Sequence, residues 1–201
     1  MRSISSNPRA IAAPGKLRIV GGDLRGSKLA VADFEGLRPT PDRVRETLFN
    51  WLAPYIAGAH CLDLFAGTGV LGIEALSRGA AQVDFIERDA RLAQALRENL
   101  VRLRQESGRV RCADALAVLR EPPAQPRDLV FLDPPFASNL WDESAQLLEA
   151  NAWLASAALI YVESPLERTL QLPSAWQPHR EGRAGAVRYA LYRRSAKLAP
   201  S

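Results

Sequence analysis

The sequence predicts an α/β fold, a parallel sheet with helices on both faces, and three observations carry that expectation. From residue 61 onward, apolar runs of strand length alternate with apolar segments of helical period. A glycine turn, Gly67-Thr68-Gly69, joins the first strand of that series to its first helix. Four acidic residues, Asp63, Glu87, Asp114 and Asp133, fall where predicted strands end. In a parallel sheet they would gather on one rim, where ligands of such sheets bind.

The elements follow in order. Residues 1–16 are rich in Ser, Asn, Pro and Ala and read as a mobile tail. Residues 17–31 suggest two short strands interrupted by Gly21-Gly22 and Arg25-Gly26, a hairpin with an irregular turn. Thr40 before Pro41 fits a cap followed by a proline at the first helical position. The helix from Pro41 to about Trp51 has Val44, Leu48, Trp51 and Leu52 on one face, with Arg43 and Arg45 elsewhere. Residues 17–56 thus read as an N-terminal extension, 57–194 as the main domain and 195–201 as a closing tail.

In the main domain, helices are expected over 70–78, 90–105, 114–119 and 141–151, and strands over 82–87, 109–112, 128–132 and 157–163. The proline-rich 121–127 stretch cannot be regular structure. The alternating segment 176–193, with Gly182 and Gly185 near its middle, reads as an antiparallel hairpin.

An apolar content of 47% and a charged content of 24% over 201 residues suit a single globular domain. No apolar run approaches the roughly 18 residues that span a membrane. The N-terminus lacks the apolar core of a secretory signal, so a cytoplasmic protein is expected. Cys61 and Cys112 have no metal-type spacing and read as buried reduced thiols. Charge is uneven: residues 1–45 carry nine basic and four acidic groups, 176–201 six and one, and 46–175 eleven and seventeen. Basic ends around an acidic centre suggest an anionic partner held by the flanks.

Gly67, Gly69 and Gly72 match G-x-G-x-x-G, a pattern that also serves nucleotide cofactors. Asp63, four residues before Gly67, would repel a pyrophosphate. It suits a ligand with an ammonium and no phosphate, such as S-adenosylmethionine (SAM), whose carboxylate can meet the helix N-terminus. A turn cap is the plainer role for Asp63. Glu87, 18 residues after Gly69, stands where a carboxylate receives ribose hydroxyls. Asp114 with Ala115 stands where an adenine amino group can be read, or where a helix is capped.

The discriminating element is Asp133-Pro134-Pro135-Phe136. Two prolines stop the strand and hold the chain rigidly. The Asp133 side chain and the Pro134 carbonyl are then acceptors for the two N–H groups of an exocyclic nucleobase amine. Phe136 offers a flat face for the base. A dehydrogenase has no use for this arrangement.

With DxFxGxG, an acidic strand end and DPPF, the chain resembles Rossmann-fold amino-methyltransferases acting on nucleic-acid bases. More narrowly, GGDLRGSKL, RPTPDRVRETLFNWL, DLFAGTGVLGIEALSRGA, FIERD and LVFLDPPF resemble the RsmD family, bacterial 16S ribosomal RNA guanine-N2 methyltransferases. The resemblance spans about Leu17 to Arg193, and the 121–127 connection and the C-terminal segment depart most from the family pattern.

It implies a Rossmann-like class I methyltransferase, with a seven-stranded, mostly parallel sheet, the last strand antiparallel, and a small N-terminal β-hairpin. It also implies SAM as methyl donor and a guanine of 16S rRNA, within the 30S subunit, as acceptor. No metal and no membrane are implied, and a monomer is expected. By position, Asp63, Phe65, Ala66, Gly67, Thr68 and Gly69 fall on the methionine part of SAM, Glu87 and Arg88 on the ribose, and Asp114 and Ala115 on the adenine. Asp133, Pro134, Pro135 and Phe136 fall on the target base. Arg38, Thr40, Arg43 and Arg45 would close over the cofactor or meet RNA, and Arg18, Arg25 and Lys28 would meet RNA phosphates, with Arg183, Arg188 and Arg193 as the other basic group. Competing readings are a DNA amino-methyltransferase using the same DPPF, a non-catalytic RNA-binding assembly factor, and a nucleotide-dependent oxidoreductase.

Overall fold

The computed structural model describes residues 17–30 and 41–195. Seven strands form one sheet: β1 (His60–Asp63), β2 (Gln82–Glu87), β3 (Gly108–Cys112), β4 (Arg127–Leu132), β5 (Leu154–Pro165), β6 (Trp176–Ala184) and β7 (Val187–Arg194). Their order is β3-β2-β1-β4-β5-β7-β6. The first five run parallel, and β7 is inserted antiparallel between β5 and β6. The helices are α1 (Asp42–Leu52), α2 (Val70–Ser77), α3 (Ala90–Arg102), α4 (Ala115–Leu119) and α5 (Trp141–Ala150). Chain order runs outward through β1, β2 and β3 in one direction and through β4 and β5 in the other, so the crevice of the sheet opens between β1 and β4.

Strand alternation sorts the core into two layers. Cys61, Val83, Phe85, Leu129, Phe131 and Tyr161 pack on one face with apolar residues of α1, α2 and α3. Leu62, Ile86, Val130, Leu132, Ile160 and Val162 pack on the other with α4 and α5. The predicted C-terminal hairpin is present as β6 and β7, turning at Gly185, whose φ is +58°. Cys61 is buried as expected, with its thiol pushed up by burial. Cys112 is exposed instead, because β3 is an edge strand and pairs on one side.

The N-terminal hairpin is reduced to one antiparallel bridge, Arg18 to Lys28. Side chains of the main domain hold this segment by its backbone. Glu74 on α2 accepts the Val20 N–H at 2.8 Å, and Ser77 accepts the Leu24 N–H at 2.9 Å while donating to the Gly21 carbonyl at 2.6 Å. On α3, Asn99 accepts the Ala30 N–H and donates to the Ala30 carbonyl, at 3.0 and 2.9 Å. Leu17, Ile19 and Leu29 join the same core as α1 and α2. At α1, Pro41 occupies the cap position and Asp42 begins the helix. Arg38 and Thr40 lie outside the described residues.

Arg45, which the resemblance placed over the cofactor or on RNA, is turned inward instead. It is fully buried on α1, donates to the Arg18 carbonyl at 2.8 Å and pairs with Asp42 at 2.5 Å and Glu74 at 3.6 Å. Glu74, also fully buried, takes Arg78 at 2.9 Å as a second cation. An acidic residue inside the apolar helix 70–77 needs a counter-ion, and α1 supplies it. Removing Arg45 leaves Glu74 with Arg78 as its remaining cation and the Arg18 carbonyl without its donor, so Arg45→Met is expected to cost about 1–3 kcal/mol of stability, read from urea unfolding. The Arg45→Met/Glu74→Gln double variant, which removes the buried charge and keeps an acceptor for the Val20 N–H, should recover part of that loss. An unchanged urea midpoint for Arg45→Met would return Arg45 to a surface role.

Candidate functional site

The turn between β1 and α2 is gripped from below and from the side. Asp63, at the end of β1 and 3% exposed, accepts the Gly72 N–H through Oδ2 at 3.0 Å. This is the turn-capping role, and it fixes the start of α2 against the strand. Burial pushes the Asp63 carboxyl up to about 7; the Gly72 bond opposes the shift and the neighbouring Glu87 adds to it. Glu87, at the end of β2, accepts the Gly67 N–H at 2.8 Å and the Asp89 N–H at 2.7 Å, one on each oxygen. A carboxylate has about four lone-pair directions, so a diol can still be received.

The glycines have specific work here. Gly69 has φ +73°, and a Cβ on it would stand 2.2 Å from Leu96 Cδ1. A Cβ on Gly72 would stand 2.2 Å from Phe85 Cε1, so α2 lies close on β2. Ala66 is buried and its N–H donates to the Ile86 carbonyl at 2.9 Å. Phe65, Gly67 and Thr68 are half-buried.

Asp114 caps α4, accepting the Ala117 N–H at 2.9 Å, and it is exposed. Ala115 is buried in the core beneath α4 and does not stand at the rim beside it as a free surface. Arg88 is exposed.

β4 stops at Leu132, where the prolines begin. Asp133 is half-buried, Pro134 buried, Pro135 exposed and Phe136 half-buried. The Pro135 carbonyl accepts the Ser138 N–H at 2.8 Å and its hydroxyl at 2.6 Å, closing a 3₁₀ turn over Phe136–Ser138. The Phe136 ring leans on Trp141, with centroids 5.8 Å apart. Trp141 is fully buried, and its Nε1–H donates to the Glu163 carbonyl at 2.6 Å.

Glu163 is a rim acid that the sequence reading missed. The pairing of Leu132 with Val162 brings Asp133 level with it at the ends of β4 and β5. It is 6% exposed and accepts the Tyr161 hydroxyl at 2.7 Å, which helps hold the Tyr161 phenol far above its usual range. The available signal was an acid at the end of a fifth strand, the rule that had found the other four.

The basic residues divide. Arg18 is mostly exposed and pairs with Asp42 at 3.0 Å. Arg25, Lys28 and Arg43 are exposed. The 20–30 segment docks at Ser77 and Asn99, toward the C-terminal ends of α2 and α3. Both helices start at the rim, so Arg25 and Lys28 stand at the other end of α2 from the glycine turn. Among the described residues no cluster of three or more His, Cys, Asp or Glu side chains is arranged to hold a metal ion, and no helix is long and apolar enough to cross a membrane.

A family model described as Conserved hypothetical protein 95 matches residues 17–193. The chain is 53% identical over 184 residues to the Ribosomal RNA small subunit methyltransferase D of Escherichia coli K12, covering 91% of this chain and 92% of the relative. It is 49% identical over 183 residues to the protein of the same name from Haemophilus influenzae, covering 90% and 95%. The solved structure of the Escherichia coli protein yhhF superposes with a TM-score of 0.85 at 52% identity, over 91% of this chain and all of that one.

The Asp63 geometry has a consequence for stability. Folding moves its carboxyl from 3.8 to about 7, so across that window the folded chain keeps a proton that the unfolded chain releases. Stability from this group is therefore present at low pH and withdrawn as pH rises toward neutrality. Asp63→Asn keeps an acceptor for Gly72 and removes the titration. Its urea midpoint should fall less than that of the parent chain between pH of about 5 and 7, and parallel profiles would contradict this assignment.

Proposed function

This chain belongs to the RsmD family of small-subunit ribosomal RNA methyltransferases, and from that premise we propose that it transfers a methyl group from SAM to the exocyclic N2 of a guanine in 16S rRNA. The observation that carries the guanine-N2 reading is the rigid Asp133-Pro134-Pro135-Phe136 turn at the end of β4, across the crevice from the Asp63 and Glu87 carboxylates. The proposal extends to a cytoplasmic, monomeric enzyme that works without a metal on the assembled 30S subunit.

The donor set suits SAM. Asp63 is an acid buried beside the start of α2, matched to an ammonium, and the α2 N-terminus favours a carboxylate. Glu87, oriented by the Gly67 and Asp89 N–H groups, accepts from ribose hydroxyls. When bound, SAM supplies an electrophilic methyl on a sulfonium centre. The residues around it position the acceptor. The guanine N2 lone pair is delocalised into the ring, so the free amine is a poor nucleophile. Asp133 and the Pro134 carbonyl accept its two N–H bonds, hold them out of conjugation and stabilise the charge that grows on nitrogen. The base must leave its stack to arrive there, and Phe136, braced by Trp141, receives its face.

Labelled SAM offered to 30S subunits, naked rRNA and duplex DNA tests the reading. Label is expected as a guanine N2-methyl in RNA, and label in DNA alone would favour the DNA enzyme. Asp133 acts in the transition state, so Asp133→Ala should lower the single-turnover rate by about 10²–10³ with SAM still bound. Phe136→Ala should lose about 1–3 kcal/mol of base stacking, and an aromatic replacement should retain most activity. A wild-type single-turnover rate in Asp133→Ala would end the amino-methyltransferase mechanism.

A further inference from the structure

A cleft of about 440 Å³ lies on the sheet face opposite α1–α3, between the 166–174 segment and the two C-terminal strands. Arg168, Leu170, Pro173, Trp176, Arg188 and Tyr192 are among the groups that line it. That volume is in the range of small-molecule clefts, roughly 300–1,000 Å³.

The Arg168 side of the cleft is tied to the DPPF turn through the buried Trp141. The Arg168 guanidinium lies 5.0 Å over the Trp141 ring, and Trp141 packs against Phe136. Arg168 is fixed by Asn139 Oδ1 at 2.7 Å and by Asp142 at 3.5 Å, so its charge is largely committed. Arg188 is different. Among the described residues its hydrogen-bond partner is the Arg168 carbonyl, at 3.0 Å, and no carboxylate pairs with it. It sits opposite Ser164 in the β5–β7 register, one residue beyond Glu163 and so at the rim. The cleft therefore has an uncommitted cation at its rim end and the half-buried Tyr192 ring further along β7. Glu167, which is exposed, is the one acid in its lining.

We propose that this cleft seats a nucleotide flanking the target guanine, with its phosphate on Arg188 and its base against Tyr192. A phosphate needs a cation and a base needs an aromatic or apolar wall. Arg188 stands two strands from Asp133, across the end of β5, so roughly 10 Å separates their backbones, about one nucleotide's reach. The inference rests on RNA being the substrate, and it shifts part of the RNA contact from the Arg25 and Lys28 segment to the β5–β7 side.

The test measures methylation of the rRNA substrate as a function of salt. Arg188→Ala should raise the RNA KM roughly tenfold and lower the salt slope by about one, at unchanged kcat and SAM affinity. Arg188→Lys should restore the slope. Ser174→Trp, placed on an exposed lining residue, should raise KM by obstruction without removing charge. Unchanged SAM affinity shows that each variant is folded. If the parent chain methylates RNA and both Arg188→Ala and Ser174→Trp leave KM unchanged, the cleft assignment is wrong and the function stands. A parent chain that does not methylate RNA overturns both.

Discussion

Two carboxylates that accept backbone N–H groups hold the rim of this sheet together. Asp63 ties the start of α2 to the end of β1 through Gly72. Glu87 ties Gly67 to the end of β2 and at the same time fixes the first residues beyond that strand through Asp89. The glycine turn carries only the half-buried Thr68 side chain, so its shape depends on these bonds, on the Gly69 N–H that donates to the Ala66 carbonyl at 2.7 Å, and on the close packing that Gly69 and Gly72 permit. Whatever binds over the turn meets a surface already built. That is preorganisation: the acids are oriented before the ligand arrives, and the ordering cost falls on folding instead of binding.

The second constraint lies behind the turn. α2 carries Glu74 in the centre of its apolar sequence, and the charge is met by Arg45 from α1 and by Arg78, the residue that follows its last turn. Glu74 also accepts the Val20 N–H. A buried acid thus fastens α1 and the 17–30 segment to the helix whose other end forms the glycine turn. The family motif containing Arg43 and Arg45 accordingly has two faces. Arg45 works inward on architecture, and Arg43 stays on the surface.

Much of this was legible in the residues. Alternating apolar patterns gave the strands and helices of the main domain, because a sheet buried on both faces leaves continuous apolar runs. The acids at strand ends were legible because a parallel sheet puts every strand end on one side. Less visible was how those acids are used. Asp114 caps α4, and Asp63 and Glu87 hold backbone first, since helix starts and turns at a rim leave N–H groups that need acceptors. Arg45 was expected from the resemblance to close over the cofactor or meet RNA, and its inward role was not visible because its partner lies 29 residues away on another helix. Likewise, Cys112 is exposed because edge position depends on strand order, which local sequence does not encode. Glu163 shows the reverse: the strand-end rule applied to it, and only the register with β4 reveals that it stands beside Asp133.

In the proposed enzyme the buried Asp63 carboxyl, raised to about 7 by burial, meets the ammonium of SAM. Calorimetric titration of SAM in buffers of different ionisation heat counts the protons exchanged on binding. A nearby ammonium lowers the Asp63 carboxyl, so release of about one proton per SAM is expected near pH 6. That release should decline through neutrality and give way to uptake near pH 8, where the SAM amine itself begins to titrate. Asp63→Asn should abolish the release at pH 6. Binding at pH 6 with no proton released, or with equal release from parent and variant, would contradict the pairing of Asp63 with the ammonium.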